Sequence, residues 1–235
     1  MLSRKERFLS KTLKHKELRM QRTDAISDLN FFDVDYKNRE IFLHNYISEN
    51  EDNPGVDYRM SSTFYKNLRF LDCINNNPII IHMHSIGGYW NDGMVIFDSI
   101  RASKSYVTIV AYGQAESMSS IILQAADLRV MMPNAYFMCH FGSSHIGGNF
   151  LDAQKAFEYE KRMAEKMLDI YAERALPGKY FSSNYKTPTK EKVKEFIRRK
   201  FREGDWYLDA EEAVYYGFAD KVIGSSDLPN IDSLR

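Results

Sequence analysis

The chain of 235 residues has little cysteine, little proline and no net charge. Two cysteines, Cys73 and Cys139, are too few for a disulfide framework, which points to a reducing, cytoplasmic setting. The 32 Lys/Arg residues balance the 32 Asp/Glu residues, so bulk nucleic-acid binding is not expected. No apolar run approaches a membrane span. The residues after Met1 lack the apolar core of an export signal, so neither a membrane location nor secretion is expected. The six histidines match no strong metal-binding spacing. No metal and no other cofactor is expected. There is no internal repeat and no low-complexity stretch.

What is present fits a globular domain with a real core: 44% of residues are hydrophobic and 27% are charged. The charge is uneven. Met1–Arg22 holds eight Lys/Arg and two Glu. Residues 1–30 therefore read as a basic N-terminal extension, either a solvated arm or a pro-segment. Residues 31–225 read as one domain and 226–235 as a C-terminal tail. Phe31–Tyr36 and Arg39–Asn45 look like short strands, and Ser61–Asn75 like a helix. Ile79–His84 is a near-continuous apolar run, expected for a strand buried on both faces. A helix is expected over Asn91–Ala102, a strand over Tyr106–Ala111, and a strand split around Pro133 into Leu128–Met132 and Tyr136–Cys139. Asp152–Arg174 has the longest helical period. Leu176–Thr189, with Pro177-Gly178 and Pro188, reads as a loop. Helices over Thr189–Arg202 and Asp209–Tyr216 and a strand over Ala219–Ile223 complete the chain. Strands alternating with helices at this spacing predict an α/β fold with a largely parallel sheet.

One stretch organises the chemistry. Gly113-Gln114-Ala115-Glu116 follows the buried strand as a glycine turn, and Met118, Ile121, Ile122 and Ala125 then follow the helical period. Ser117 thus stands at a helix start. Serine is favoured there as an ordinary cap, and the unpartnered amides of the first turn also suit a nucleophile. Gly87-Gly88 follows the preceding strand, so both turns are expected at the sheet edge where α/β proteins bind ligands. The Gly88 and Met118 amides are candidate donors to a developing oxyanion. A nucleophilic serine needs a base. His140, at the end of Tyr136–Cys139, could face Ser117. His82 and His84 share one strand face, and His145 follows His140. Many acidic residues could orient the base, and spacing alone does not choose among them.

Four blocks resemble the proteolytic subunit of the Clp protease, ClpP. Ile81-His82-Met83-His84-Ser85-Ile86-Gly87-Gly88 is similar to the family's strand ending in Asn-Ser-Pro-Gly-Gly. Gly113-Gln114-Ala115-Glu116-Ser117-Met118 is similar to Gly-Gln-Ala-Ala-Ser-Met. Pro133–His140 resembles Pro-Asn-Ser-Arg-Val-Met-Ile-His. Asp205–Asp220 resembles the block Asp-Arg-Phe-Leu-Ser-Ala through Tyr-Gly-Leu-x-Asp. The resemblance implies an α/β ClpP/crotonase-like fold of stacked ββα units with a protruding strand-plus-helix handle, here His145–Gly148 and Asp152–Arg174. It implies a serine endopeptidase with Ser117 as nucleophile, His140 as base and Asp205 as its orienter. Gly88 and Met118 would supply the oxyanion-hole amides. It also implies polypeptide substrates, a homo-oligomeric double heptameric ring and an AAA+ unfoldase as possible partner. A phage-type capsid-maturation protease of this class, and an inactive subunit assembling with an active paralogue, are the alternatives. The chain departs from the family at Ile86, where proline is usual, and at Glu116, where a small residue is usual. An insertion over Leu176–Lys190 lengthens the interval between His140 and Asp205.

Overall fold

In a computed structural model of the chain, residues 25–44, 55–143 and 146–234 are described. The basic segment before residue 25 and His145 lie outside them. Residues 25–32 are helical (α1). The strand expected from Phe31 therefore begins only at Val34, as the two-residue β1 (Val34–Asp35). Phe31 and Phe32 end the helix instead, and the turn is made at Asp33, whose φ is 57°.

The sheet runs β1-β2-β3-β4-β5-β8, with β2 Glu40–His44, β3 Ile79–Ser85, β4 Val107–Glu116, β5 Leu128–Met131 and β8 Lys221–Val222. All neighbours in that row are parallel except β1 and β2. The alternation of side chains along a strand sorts the sheet into two faces. Ile79, Ile81 and Met83 join Val107, Ile109 and Ala111 in the main core, under α2 (Tyr58–Ile74), α3 (Trp90–Ala102) and α4 (Met118–Leu123). Ile80, Val110 and Val130 form a smaller cluster with Ile223 and Leu228. Leu228 is buried and Ile231 packs on the same cluster, so the C-terminal tail covers the second face.

β4 continues through the stretch read as a glycine turn. Thr108–Ala111 pair with β5, and Gln114–Glu116 pair with a different strand, β6 (Tyr136–Cys139). The change of partner falls at Gly113, whose φ of 53° suits glycine. The glycine is therefore a bend within one strand. It brings the residues just before Ser117 alongside β6.

The second half wraps around α5 (Phe150–Ala175), capped by Asn149, whose side chain accepts from the Leu151 and Asp152 amides. The segment read as a loop contains a further helix, α6 (Lys179–Asn184), with Phe181 fully buried. Its chemistry is that of a packed element: Gly178 lies against the Tyr216 carbonyl, where a Cβ would collide. α7 (Lys190–Glu203) lies against α5, tied by Lys194 to Asp169 at 2.7 Å and Arg198 to Glu165 at 2.7 Å. α8 (Ala210–Tyr216) opens on a capping box between Asp209 and Glu212 and ends at Gly217. Among the described residues between His140 and Asn149 no strand forms, so the handle is represented there by its helix alone. No helix among the described residues is long and apolar enough to cross a membrane.

Candidate active site

Three strand ends converge on one cleft. β3 delivers Gly87-Gly88, β4 delivers Ser117 and β6 delivers His140. β7 (Trp206–Leu208) runs antiparallel to β6, with Cys139 opposite Trp206. One step further along that ladder, His140 falls opposite Asp205. The register is held by an aromatic wedge. Phe137 and Trp206 both stack on or against Phe218, and Trp206 also meets Phe196 and Tyr216 edge to face.

The side chains then line up. His140 Nε2 lies 2.8 Å from Ser117 Oγ, and His140 Nδ1 lies 2.9 Å from Asp205 Oδ1. The Ser117 hydroxyl donates to Nε2 when Nδ1–H donates to the carboxylate. The His140 side chain is 23% exposed and that of Asp205 52%. All three sequence-expected side chains are brought together.

Ser117 does not behave as a helix cap. Its side chain makes no cap hydrogen bond to α4, and its backbone stands at φ 50°, ψ −122°. A non-glycine residue there carries about 1–3 kcal/mol of strain. The conformation is held by the Ser117 N–H donating to the Met138 carbonyl at 2.8 Å and by the Ser120 N–H donating to the Ser117 carbonyl at 3.0 Å. Strand β6 and the first turn of α4 thus fix the nucleophile from both sides.

Met118 is the first residue of α4, so its N–H has no acceptor within the helix. Gly87 and Gly88 pass directly beside it. A Cβ at Gly87 would meet the Met118 nitrogen and Ser117 Cβ at 2.7 Å. Gly88 is bridged to Val56 through the Gly87 carbonyl and the Tyr89 N–H, which leaves its own N–H outside that pairing. A Cβ at Gly88 would strike the Val56 backbone. The close approach demands glycine at both positions.

The cleft has a volume of about 820 Å³. Gly88, Ser117 and His140 lie on its wall, with Met118, Ile121, Met163 and Met167 as its apolar side. Asp57, Asp92 and Glu160 also border it. Glu116 does not; its carboxylate accepts from Gln114 Nε2 at 3.3 Å. Ile86 lines the cleft, and its turn forms without the proline.

His82 and His84 lie elsewhere, on the outer sheet face. His82 stacks on Phe42 at 4.7 Å, meets the Tyr112 hydroxyl at 3.0 Å and pairs with Glu40 at 3.3 Å. Both line a second hollow of about 580 Å³ with Tyr112 and Ile231. Among the described residues no group of three or more His, Cys, Asp and Glu is placed to hold a metal. Cys139 is fully buried, which pushes its thiol well above the usual cysteine range. It is an inert wall residue beside His140.

The family model for Clp protease matches residues 29–226. The chain belongs to the Clp protease family. It is 32% identical over 173 residues to the ATP-dependent Clp protease proteolytic subunit 2 of Pseudomonas aeruginosa, covering 73% of this chain and 78% of that one. It is 29% identical over 172 residues to the corresponding subunit of Deinococcus radiodurans, covering 72% and 76%. A solved structure of a ClpP1 mutant from Listeria monocytogenes matches with a TM-score of 0.64 at 22% identity, over 85% of this chain and 96% of that one. That likeness bears on the fold and not on the side chains of the cleft.

Proposed function

We propose that the chain is a serine endopeptidase in which Ser117, His140 and Asp205 act as the triad. The observation that carries the reading is the unbroken contact Ser117 Oγ–His140 Nε2 and His140 Nδ1–Asp205 Oδ1 at the wall of the cleft. Ser117 Oγ attacks a peptide carbonyl while its proton passes to His140 Nε2. Asp205 holds Nδ1–H, fixing the tautomer and favouring the imidazolium. The Gly88 and Met118 amides receive the oxyanion. The tetrahedral adduct collapses as Nε2–H protonates the leaving amine, and water releases the acyl group by the reverse proton path. No step consumes ATP.

The substrate is polypeptide. The chain works in the cytoplasm, a setting supported by Cys73 and Cys139 both being free thiols. The relatives' names refer to an ATP-dependent protease. By the family resemblance the subunits form a double heptameric ring fed by an AAA+ unfoldase. The complete triad geometry disfavours an inactive-subunit role. A fluorophosphonate probe tests the assignment. The parent should be labelled and Ser117→Ala should not; equal labelling of the two would remove Ser117 from the mechanism.

A further inference from the structure

Behind the nucleophile, three oxygen atoms stand in line. Tyr171, on α5, is fully enclosed, and its phenol oxygen lies 2.6 Å from Ser120 Oγ. Ser120, also fully enclosed, donates from Oγ to the Ser117 carbonyl at 2.6 Å. A serine hydroxyl has one hydrogen. Since that hydrogen goes to the Ser117 carbonyl, the contact with Tyr171 has to be donated by the phenol. Burial, and then neighbouring Cys139, hold the Tyr171 hydroxyl well above the usual tyrosine range, so it stays a donor. The order is Tyr171 O–H to Ser120 Oγ, then Ser120 O–H to Ser117 C=O. Hydrogen bonds arranged in such a chain polarise and strengthen one another.

The carbonyl that ends this chain belongs to the same planar unit as the Met118 N–H. Turning one turns the other. That peptide follows a strained residue, Ser117 at φ 50°, and so needs external support to stay in place. We infer that Tyr171 and Ser120 are positioning residues, which clamp the Ser117–Met118 peptide so that its N–H faces the oxyanion and Ser117 Oγ stays on His140. The inference rests on the serine-peptidase reading and extends it to two side chains that touch no substrate.

The test uses the full chain with Tyr171→Phe, Ser120→Ala and the double variant, assayed on a fluorogenic peptide. Each single variant should lower kcat by about 10-fold or more, since small misplacements of a reacting group are costly. KM should stay within twofold, because neither residue lines the cleft. The double variant should be no slower than Ser120→Ala, because one chain of bonds cannot be broken twice. Fluorophosphonate labelling should slow in the same order, and thermal unfolding follows the folded fraction. A Tyr171→Phe variant with kcat within twofold of the parent overturns the inference. So do losses that multiply in the double variant, or that only track the folded fraction. Should Tyr171→Phe fail to fold, Ser120→Ala, smaller by one oxygen, decides alone on the same twofold limit. An inactive parent overturns the peptidase reading and this one with it; an active parent with unaffected variants overturns this one only.

Discussion

Asp205 is the residue whose role is most exposed to test, because it is itself the most exposed member of the set. Half of its side chain is open to water, and its carboxylate hydrogen-bonds His140. Replacing it should therefore cost little stability. Asp205→Asn is expected to lower kcat by about 10²–10⁴, the range of general acid–base contributions, with thermal unfolding nearly unchanged. A variant that keeps parental kcat would leave His140 to be oriented by something else. Ser117 and His140 are legible in the chain because His140 ends an apolar run and Ser117 stands between a glycine turn and a helical period, so local pattern places both at a sheet edge. Asp205 is not legible that way. It depends on the β6–β7 register, and β7 has only three residues, too few for a period to show; the resemblance alone reached it. Tyr171 and Ser120 were hidden for another reason. The helical period records Tyr171 as one more apolar position, and it carries no information about where a hydroxyl points. Glu116, the odd neighbour of the nucleophile, has a plain explanation: alternation along β4 takes it away from the cleft.

Elements misread from the chain were those whose punctuation has two meanings. Gly113 marks a bend in a long strand as readily as the end of a short one. Pro177-Gly178 and Pro188 bound a packed helix as readily as a loop. The long helices, by contrast, were legible to within a few residues, since α2 shows Met60, Phe64, Leu68 and Leu71 on one buried face. A single side chain, Arg129, joins several of these elements. Its guanidinium grips both Asp220 oxygens, Gln124 Oε1 at 2.8 Å and the Gly217 carbonyl at 2.7 Å. It thereby ties the end of the nucleophile helix α4 to the end of α8. Burial would raise the Asp220 pKa, but the Arg129 hydrogen bonds and charge outweigh it and hold the carboxyl below its ordinary 3.8. A depressed folded-state pKa stabilises above the unfolded value, and that stability is lost as pH falls through the lowered one. The acid limb of unfolding below about pH 4 should therefore include this pair. Asp220→Asn should cost on the order of 3 kcal/mol at pH 7, because it leaves a buried guanidinium without its charge partner. The gap between variant and parent in urea unfolding should narrow at pH 3. A gap that stays constant from pH 7 to pH 3 would mean the pair is electrostatically idle.

At the scale of the whole molecule, α5 is a helix that its own chain only half covers. From Met167 to Ala175, α5 buries Met167, Leu168, Tyr171, Ala172 and Ala175; none of its first seventeen residues is buried. Yet that outer half carries Phe150 at 81% exposure, Leu151 at 64% and Phe157 at 63%. Three large apolar side chains left exposed on one helix are a poor solution for an isolated chain, and apolar surface of this kind marks association sites. A second copy is the occupant that the family analogy supplies. Phe150 and Phe157 lie seven residues apart, two turns along one face, so a partner helix laid on that face would meet both. Charge placed there should break assembly while leaving the cleft intact, since neither Phe150 nor Phe157 lines it. Phe157→Glu, and more completely Phe150→Glu with Phe157→Glu, should convert a large particle into a smaller one by sedimentation velocity. Fluorophosphonate labelling of the dissociated form then separates two cases. Retained labelling means that the triad is complete within one chain, as its distances imply; lost labelling means that the outer half of α5, pinned by its partner, is what keeps the buried half, and Tyr171 with it, in register. A parent that sediments as a monomer with those phenylalanines exposed would refute the assembly outright.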